Sequence, residues 1–192
     1  MCRLARIGGL IAAVASALGL WADQTPPADP SPEALRVFKV IETIEAAGPP
    51  PAGGALRRIT VGERELNAYI DFRRRDERWE MMKDLRLKLL EGQKLEGMFV
   101  LDLSGTKFAS WLPETATFFF AARLEAAVGK ARLRLEKLFV GQQPIQPVVI
   151  DLILLFASRK NDQVASSLDQ WVDLPIGIRE LRTGKESLTA LY

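Results

Sequence analysis

The stretch LRLKLLEGQKLEGMFVLDL, residues 85–103, decides the fold of this chain. Leucines at 85, 87 and 89 alternate with basic residues, and after Glu91-Gly92 the apolar residues resume at every second position from Leu95 to Leu103. A period of two places alternate side chains on opposite faces of a strand. The stretch therefore predicts an antiparallel hairpin with one apolar face.

A second and longer hairpin is predicted by the residues that follow. Alternation runs through 117–128 and 131–140, and Gly129-Lys130 supplies the turn. Leu133 and Leu135 are expected to face inward. Four antiparallel strands follow from the two hairpins.

Two helices are predicted ahead of these strands. Ser31-Pro32-Glu33 has the N-cap, the first-turn proline and the acid of a helix start, and that helix ends at Gly48. After a short strand at 57–61, Thr60-x-x-Glu63 resembles a capping box that opens a helix through about Arg75.

The later part of the chain contains its most apolar segment after the leader, residues 144–158. We expect a core helix that lies across the sheet, because about 15 residues with Asp151 among them are too short for a bilayer span; membrane insertion is the alternative. A further helical piece is predicted around Val164, Leu168 and Trp171, and a last hairpin over 176–192.

The predicted fold class is α+β, with a curved, multi-stranded antiparallel sheet of long hairpins packed against one or two apolar helices. Residues 56–192 are expected to form this single domain. Residues 23–55 are assigned to a tether that contains a short helix and a linker rich in proline and glycine.

Residues 1–22 have the layout of a signal peptide. Two arginines precede an apolar run of 16 residues from Ile7 to Ala22, and small residues suit cleavage after Ala17 or Ala22. The alternative is an uncleaved anchor helix, which would be the chain's only membrane contact. We therefore expect a periplasmic or extracellular protein.

The charge balance argues against nucleic-acid binding. The chain has 26 Lys and Arg against 24 Asp and Glu, and without Arg3 and Arg6 the two counts are equal. A neutral domain lacks the basic surface that attracts phosphates. The cluster at Arg73, Arg74 and Arg75 is interpreted as complementing the negative end of a helix rather than as a phosphate site.

Most familiar catalytic sites are excluded. The chain has no histidine, and its one cysteine, Cys2, lies in the leader; triads that need histidine or cysteine and histidine-bearing zinc sites are therefore impossible. No nucleotide, phosphate, acyl-transfer or calcium motif is present. We expect a protein that is not an enzyme and carries no cofactor, although the pairs Glu63 with Glu65 and Asp76 with Glu77 leave carboxylate catalysis formally open.

The positive signal is an excess of apolar side chains that could line a cavity between the helix at 144–158 and the sheet. The alternative is that they fill the core. The candidate ligand-binding residues are Phe118, Phe119, Phe120, Val149, Ile153, Leu154 and Phe156.

Three motifs carry a resemblance. ITVGERELNAYI at 59–70, VGQQPI at 140–145 and DLPIGIR at 173–179 are similar to patterns of a group of small, uncharacterised exported bacterial proteins, over about residues 57–192. The resemblance implies the same fold and export, and it carries no catalytic residues. The order of elements is also distantly similar to that of tubular lipid-binding domains of the cell envelope.

Two functions are expected from these features. The first is a non-enzymatic envelope protein that binds a lipid or another apolar ligand between helix and sheet. The second is an interaction module whose strand edges or apolar helix face engage another envelope protein.

Overall fold

The computed structural model describes residues 29–49, 54–76, 81–110, 112–127, 129–146, 148–151, 171–175 and 177–192. Its fold class is α+β, as predicted, with antiparallel sheets of six and three strands that do not close into a barrel. The predicted signal peptide at 1–22 and most of the predicted helix at 144–158 lie outside the described residues.

The larger sheet is built from the two predicted hairpins and two short strands. Its order is β2-β3-β4-β5-β6, and β7 pairs with β5. Its strands are β2 (Met82–Leu90), β3 (Lys94–Asp102), β4 (Thr115–Ala127), β5 (Lys130–Val140), β6 (Gln143–Pro144) and β7 (Val172–Asp173).

The alternation in the sequence corresponds to the faces of this sheet. Leu85, Leu87 and Leu89 of β2 are all buried, whereas the intervening Arg86 and Lys88 are exposed. The pleat of a strand turns the leucines to the core and the bases to solvent. Both predicted hairpins are confirmed.

The smaller sheet joins the predicted first strand to the predicted last hairpin. Its order is β1-β9-β8, all antiparallel. The strands are β1 (Arg58–Gly62), β8 (Glu180–Gly184) and β9 (Ser187–Leu191). Beyond the strand ends, Arg57 and Tyr192 exchange backbone hydrogen bonds of 2.7 and 3.0 Å.

Helix α1 (Pro32–Ala47) begins and ends where the sequence predicts. Ser31 Oγ accepts a hydrogen bond from Ala34 N–H at 3.2 Å, and Gly48 follows the last turn with φ of 64°. The helix buries Ala34, Val37 and Ile44 in the same core as the sheets. The sequence predicts residues 32–47 as part of the tether, whereas in the structure their apolar face packs on the core of the folded domain.

Helix α2 (Glu63–Asp76) is also confirmed, but its N-terminal cap differs from the predicted one. Glu65 accepts the Gly62 N–H at 2.8 Å, which satisfies one of the free backbone donors of the first turn. Thr60 lies in β1, and its hydroxyl is 3.0 Å from the Thr189 hydroxyl of β9. The sheet therefore uses the threonine that was predicted to cap the helix.

Two other predicted helices are only partly described. Residues 148–151 are helical, but Pro144 belongs to β6, so the helix does not begin at Pro144. Of the predicted piece around 164–171, only Trp171 is described. It is not helical, and its ring lies 4.8 Å from the guanidinium of Arg132.

Helix α2 covers the edge of β2 with side-chain hydrogen bonds. Asn67 Nδ2 donates to Leu87 O at 2.7 Å, and Leu87 N–H donates back to Asn67 Oδ1 at 2.8 Å. One helical turn away, Glu63 accepts Leu89 N–H at 2.6 Å. Because the edge of a sheet presents backbone groups with no strand to pair with, Glu63 and Asn67 take the place of a neighbouring strand.

This edge contact predicts the effect of Asn67→Leu. The substitution keeps the size of the side chain but leaves Leu87 N–H and C=O without their partners, so the free energy of unfolding should fall by about 2–4 kcal/mol. Urea unfolding followed by circular dichroism measures it. The control is Gln142→Leu in an exposed turn, and an equal, small effect of both substitutions would contradict the assigned role of Asn67.

A glycine in β3 gives room to an aromatic ring of β4. Gly97 lies opposite Phe120, and a Cβ at this glycine would lie 2.6 Å from Phe120 Cζ and 2.5 Å from Arg86 O. The second atom belongs to the backbone and cannot turn aside. The close approach of β2, β3 and the Phe120 ring therefore requires glycine at this position.

We predict that Gly97→Ala lowers the free energy of unfolding by about 1–3 kcal/mol, the usual cost of forcing an extra carbon into a filled core. Glu96→Ala, one residue earlier with an exposed side chain, should change it by less than about 0.5 kcal/mol. If Gly97→Ala and Glu96→Ala unfold at the same urea concentration, β3 accommodates the extra carbon without loss of stability, and the prediction is wrong.

Candidate functional site

The three consecutive phenylalanines of β4 do not share one wall. Phe118 and Phe120 are buried, whereas Phe119 is 44% exposed. Adjacent side chains of a strand point to opposite faces, so the pleat itself separates Phe119 from the other two. The three side chains therefore do not line one wall together, and a ligand contact by Phe119 stays a prediction.

Phe118 and Phe120 pack within the core. The Phe118 ring stacks on Phe99 with centroids 4.9 Å apart and an interplanar angle of 11°, and the Phe120 ring is tilted to Phe99 at 5.8 Å. Neither residue contributes to the cavity described below. Their contacts are those of core residues.

The other candidates lie on the apolar segment that follows β6. Val149 is half-buried and contacts the core, and Ile150 beside it is 2% exposed. Ile153, Leu154 and Phe156 lie outside the described residues. A ligand site between this segment and the sheet, with Ile153, Leu154 and Phe156 in its wall, therefore stays a prediction.

An apolar cavity of about 110 Å³ lies elsewhere, between α1 and the two sheets. Helix α1 contributes four aliphatic side chains at helical spacing, and α2 contributes Leu66 and Tyr69. The residues from α1 are Val37, Val40, Ile41 and Ile44. The spacing predicts an amphipathic helix whose apolar face must be covered, but it does not tell which part of the chain covers it.

Both sheets form the remaining walls. From the larger sheet and the segment after it, the lining residues are Leu87, Leu89, Leu95, Leu124, Ala131, Leu133, Val172, Leu174 and Ile178. From the smaller sheet, they are Ile59, Val61, Leu181, Thr183, Leu188 and Ala190. Among all described lining residues only Tyr69 and Thr183 have polar side chains, and none is charged.

Gln93 joins the two walls. It lies in the turn between β2 and β3, with φ of 63° after Gly92. Its side-chain Nε2 donates to Leu181 O at 2.8 Å, and Thr183 N–H donates to its Oε1 at 2.7 Å. Glu186 N–H adds a bond of 3.1 Å to Leu89 O. The turn of the large sheet thereby holds strand β8 and fixes the width of the cavity.

Thr183 belongs to the lining of this cavity, but its hydroxyl oxygen is fully buried behind the cavity wall. The residue is 8% exposed, and among the described residues Thr183 Oγ1 has no hydrogen-bond partner. A buried hydroxyl without a partner costs free energy because it has lost water and gained nothing in exchange. Thr183 therefore carries a cost to stability, and the surface that the cavity presents to a ligand is apolar.

The acidic pair Glu63 and Glu65 is engaged in structural contacts. Glu63 accepts the Leu89 N–H, while Glu65 accepts the Gly62 N–H and forms a 2.7 Å ion pair with Arg36 of α1. Both carboxylates hold helices in place. Of the second pair that was considered for catalysis, Glu77 lies outside the described residues.

The basic cluster at the end of α2 surrounds one carboxylate. Asp71 forms ion pairs of 2.8 Å with Arg74 and 3.1 Å with Arg75. Burial acts to raise the pKa of Asp71, but the hydrogen bond from Arg74 and the charge of Arg75 outweigh it and hold the pKa below its ordinary value. Two of the three arginines are therefore paired within the helix.

The described part of the chain has neither a cluster of metal ligands nor a helix suited to crossing a bilayer. No group of three or more histidine, cysteine, aspartate or glutamate side chains there is arranged to hold a metal ion. No helix within the described ranges combines the length and apolar composition that a bilayer crossing requires.

Comparison with known proteins gave no match: no protein family, no curated protein and no solved structure was found to be similar to the chain. The resemblance to small exported proteins and to tubular lipid-binding domains stays a prediction. The candidate site is therefore defined by its own geometry, as an apolar cavity between α1 and the two sheets.

Proposed function

We propose that the protein binds a small apolar molecule, or the end of an aliphatic chain, in the cavity between α1 and the two sheets. The supporting observation is an apolar cavity of about 110 Å³ at the meeting point of α1, α2 and both sheets. Ligand sites are characteristically concave and mostly apolar, and this cavity has that character.

The cost of keeping such a space empty favours an occupant. Protein interiors are normally filled to the density of organic crystals. An apolar void of this size lowers stability by roughly 3 kcal/mol relative to a filled core, at ~24 cal/mol per Å³. A bound apolar molecule would restore these contacts. Water would not replace it, because apolar walls offer water no hydrogen-bond partners.

The volume limits the ligand. An apolar cavity of ~150 Å³ in another protein takes up benzene or xenon, and sites for drug-sized molecules measure roughly 300–1,000 Å³. The cavity of this protein therefore suits a group about the size of a benzene ring or a short aliphatic segment. A longer lipid would insert only its chain end.

We place the ligand beneath α1 rather than beneath the 144–158 segment. Both versions place an apolar ligand between a helix and a sheet, and α1 is the helix for which the described residues supply a cavity. We also propose that the protein acts by binding rather than by catalysis, and outside the cytoplasm. The first is supported by the structural contacts of Glu63 and Glu65, and the second by the sequence pattern of residues 1–22 alone.

Filling the cavity tests this proposal. Benzene at about ten times its Kd should raise the melting temperature of the wild-type protein by about 2–5 °C. Ala131→Leu and Ala190→Leu add carbons from opposite walls, β5 and β9, and each should abolish that rise and the xenon-induced NMR shifts of the lining methyl groups. Calorimetry and NMR make the two measurements.

The matched control is Phe119→Trp, which adds bulk to β4 on the face turned away from the core and should keep the benzene response. A wild-type protein that responds neither to benzene nor to xenon contradicts the proposal. Equal responses in the wild type and in both filled variants would place the binding site elsewhere.

A second candidate function, an interaction module, is favoured by one surface. Met98, Phe119 and Phe139 lie directly opposite one another on β3, β4 and β5. Side chains in such cross-strand positions touch, so the partly exposed row forms one apolar strip on the outer face of the larger sheet. A strip of this kind suits contact with another protein.

This candidate predicts a position-dependent crosslink. A photo-crosslinking amino acid at position 119 should capture a defined partner in the source organism, whereas the same amino acid at the exposed position 123 on the same face should capture much less. Equal labelling at both positions would indicate chance collisions.

A further inference from the structure

We infer that the outer face of the larger sheet binds the surface of a lipid bilayer that contains anionic lipids. This surface is separate from the cavity, which is lined by the opposite face of the same sheet. It joins an apolar strip, which suits the boundary between head groups and acyl chains, to lysines that suit the lipid phosphates.

The strip of Met98, Phe119 and Phe139 supplies the apolar part. The three residues lie opposite one another on neighbouring strands, and Phe119 is 44% exposed. Neighbouring strands lie about 5 Å apart, so the strip is about 10 Å long. Insertion into the head-group region would remove this apolar surface from water without any change in the sheet.

Two lysines lie on the row of side chains next to the strip. Lys88 is opposite Glu96, Glu96 is opposite Ala121, and Ala121 is opposite Lys137. This row is two residues along each strand from the strip, so its side chains emerge on the same face. Both lysines are exposed, and neither forms an ion pair with a described residue.

The next row repeats positive charge without alternation. Lys94 lies opposite Arg123, and Arg123 lies opposite Arg134. Like charges in directly opposite positions of a sheet are unfavourable. Bound anions would relieve the repulsion between them.

The acids of this face do not balance the lysines. Most of the acids on β2 to β5 are held by arginines, and among the described residues of this face Glu96 alone has no ion pair. The arginine pairs are Arg86 with Asp84, Arg123 with Glu136, and Arg132 with Glu125. Lys88, Lys94 and Lys137 therefore give the face an excess of free positive charge, although the whole chain is nearly neutral.

The kind of cation favours a lipid surface over a protein partner. Protein interfaces are enriched in arginine and depleted in lysine, because the ammonium group is strongly hydrated and its side chain is flexible. On a bilayer a lysine keeps its ammonium group in the wet head-group region while its methylene groups lie along apolar surface. All three free bases described above are lysines.

Vesicle binding by the full chain tests this surface. Phosphatidylcholine vesicles that contain phosphatidylglycerol should bind the protein more tightly than vesicles of phosphatidylcholine alone. Lys88→Gln and Lys137→Gln should each weaken binding to the anionic vesicles about fivefold, the usual worth of one base near such a surface. Lys39→Gln removes the same charge from an exposed position of α1, and screening by salt should make its effect small. Sedimentation with vesicles measures the affinities, and circular dichroism checks that each variant is folded.

A fluorescent label distinguishes the sheet from residues 1–22, which could also bind lipid. In a chain with Cys2→Ser, an environment-sensitive dye is attached at Phe119→Cys or, as the control, at Glu42→Cys on the exposed side of α1. Anionic vesicles should shift the emission of the dye at position 119 to shorter wavelength and leave the dye at position 42 unchanged. Residues 1–22 are identical in the two proteins and cannot produce this difference.

An unchanged emission at position 119 overturns the inference, even if the chain sediments with vesicles. Equal binding to both kinds of vesicle, or equal effects of Lys88→Gln and Lys39→Gln, also overturns it, because the lysines then select no anionic lipid. A defined protein crosslinked at position 119 without any response to vesicles would assign the strip to the second candidate function instead. None of these results depends on benzene binding, which tests the cavity alone.

Discussion

The free edges of the two sheets are the constraint on which the rest of the structure depends. A strand at an edge presents N–H and C=O groups that must be paired or covered. The protein covers two of these edges with side-chain amides: Asn67 bonds both backbone groups of Leu87, and Gln93 bonds Leu181 and Thr183. An amide suits this role because it offers a donor and an acceptor side by side, as a peptide unit does.

These two contacts explain the arrangement of the layers. Asn67 holds α2 against β2, and Gln93 holds β8 against the turn at the end of the same strand. Helix α1 then packs on α2 through Phe38, whose ring meets Tyr69 and Phe72 edge-on at 4.9 and 5.4 Å. Helix α1 therefore covers a space between the two sheets. Hydrogen bonds hold the walls of this space apart, and the aliphatic side chains of α1 do not fill it.

The strands could be predicted from the sequence because their signal is local. The alternation of apolar and polar residues over 85–103 and 117–140 involves only neighbours in the chain. The same holds for the N-cap of α1 at Ser31 and for its end at Gly48. Features that depend on residues distant in the sequence could not be predicted. Thr60 bonds Thr189, 129 positions later, rather than capping α2, and α1 belongs to the core because two sheets that lie far apart in sequence come together beneath it.

The candidate site, too, could be predicted only in part from local sequence patterns. Apolar composition predicted a cavity between helix and sheet, but it could not say which helix. In the sequence the triplet at 118–120 forms one apolar run, although the pleat of β4 turns Phe119 to the outer face while Phe118 and Phe120 stay inside. Neither Gln93 nor Thr183 had a local signature, since their roles arise only when the β2–β3 turn meets β8.

The pairing of β1 with β9 has a consequence for how the protein folds. The two strands are separated by the whole of the larger sheet, so the small sheet has to close a very long loop before it gains any contact. Folding rates fall as contacts become more distant in sequence. The hairpins of the larger sheet can form early from local contacts, whereas the small sheet can be completed only after β9 has been synthesised. The cavity thus acquires its last wall late in folding, and until then the aliphatic face of α1 is covered on one side only.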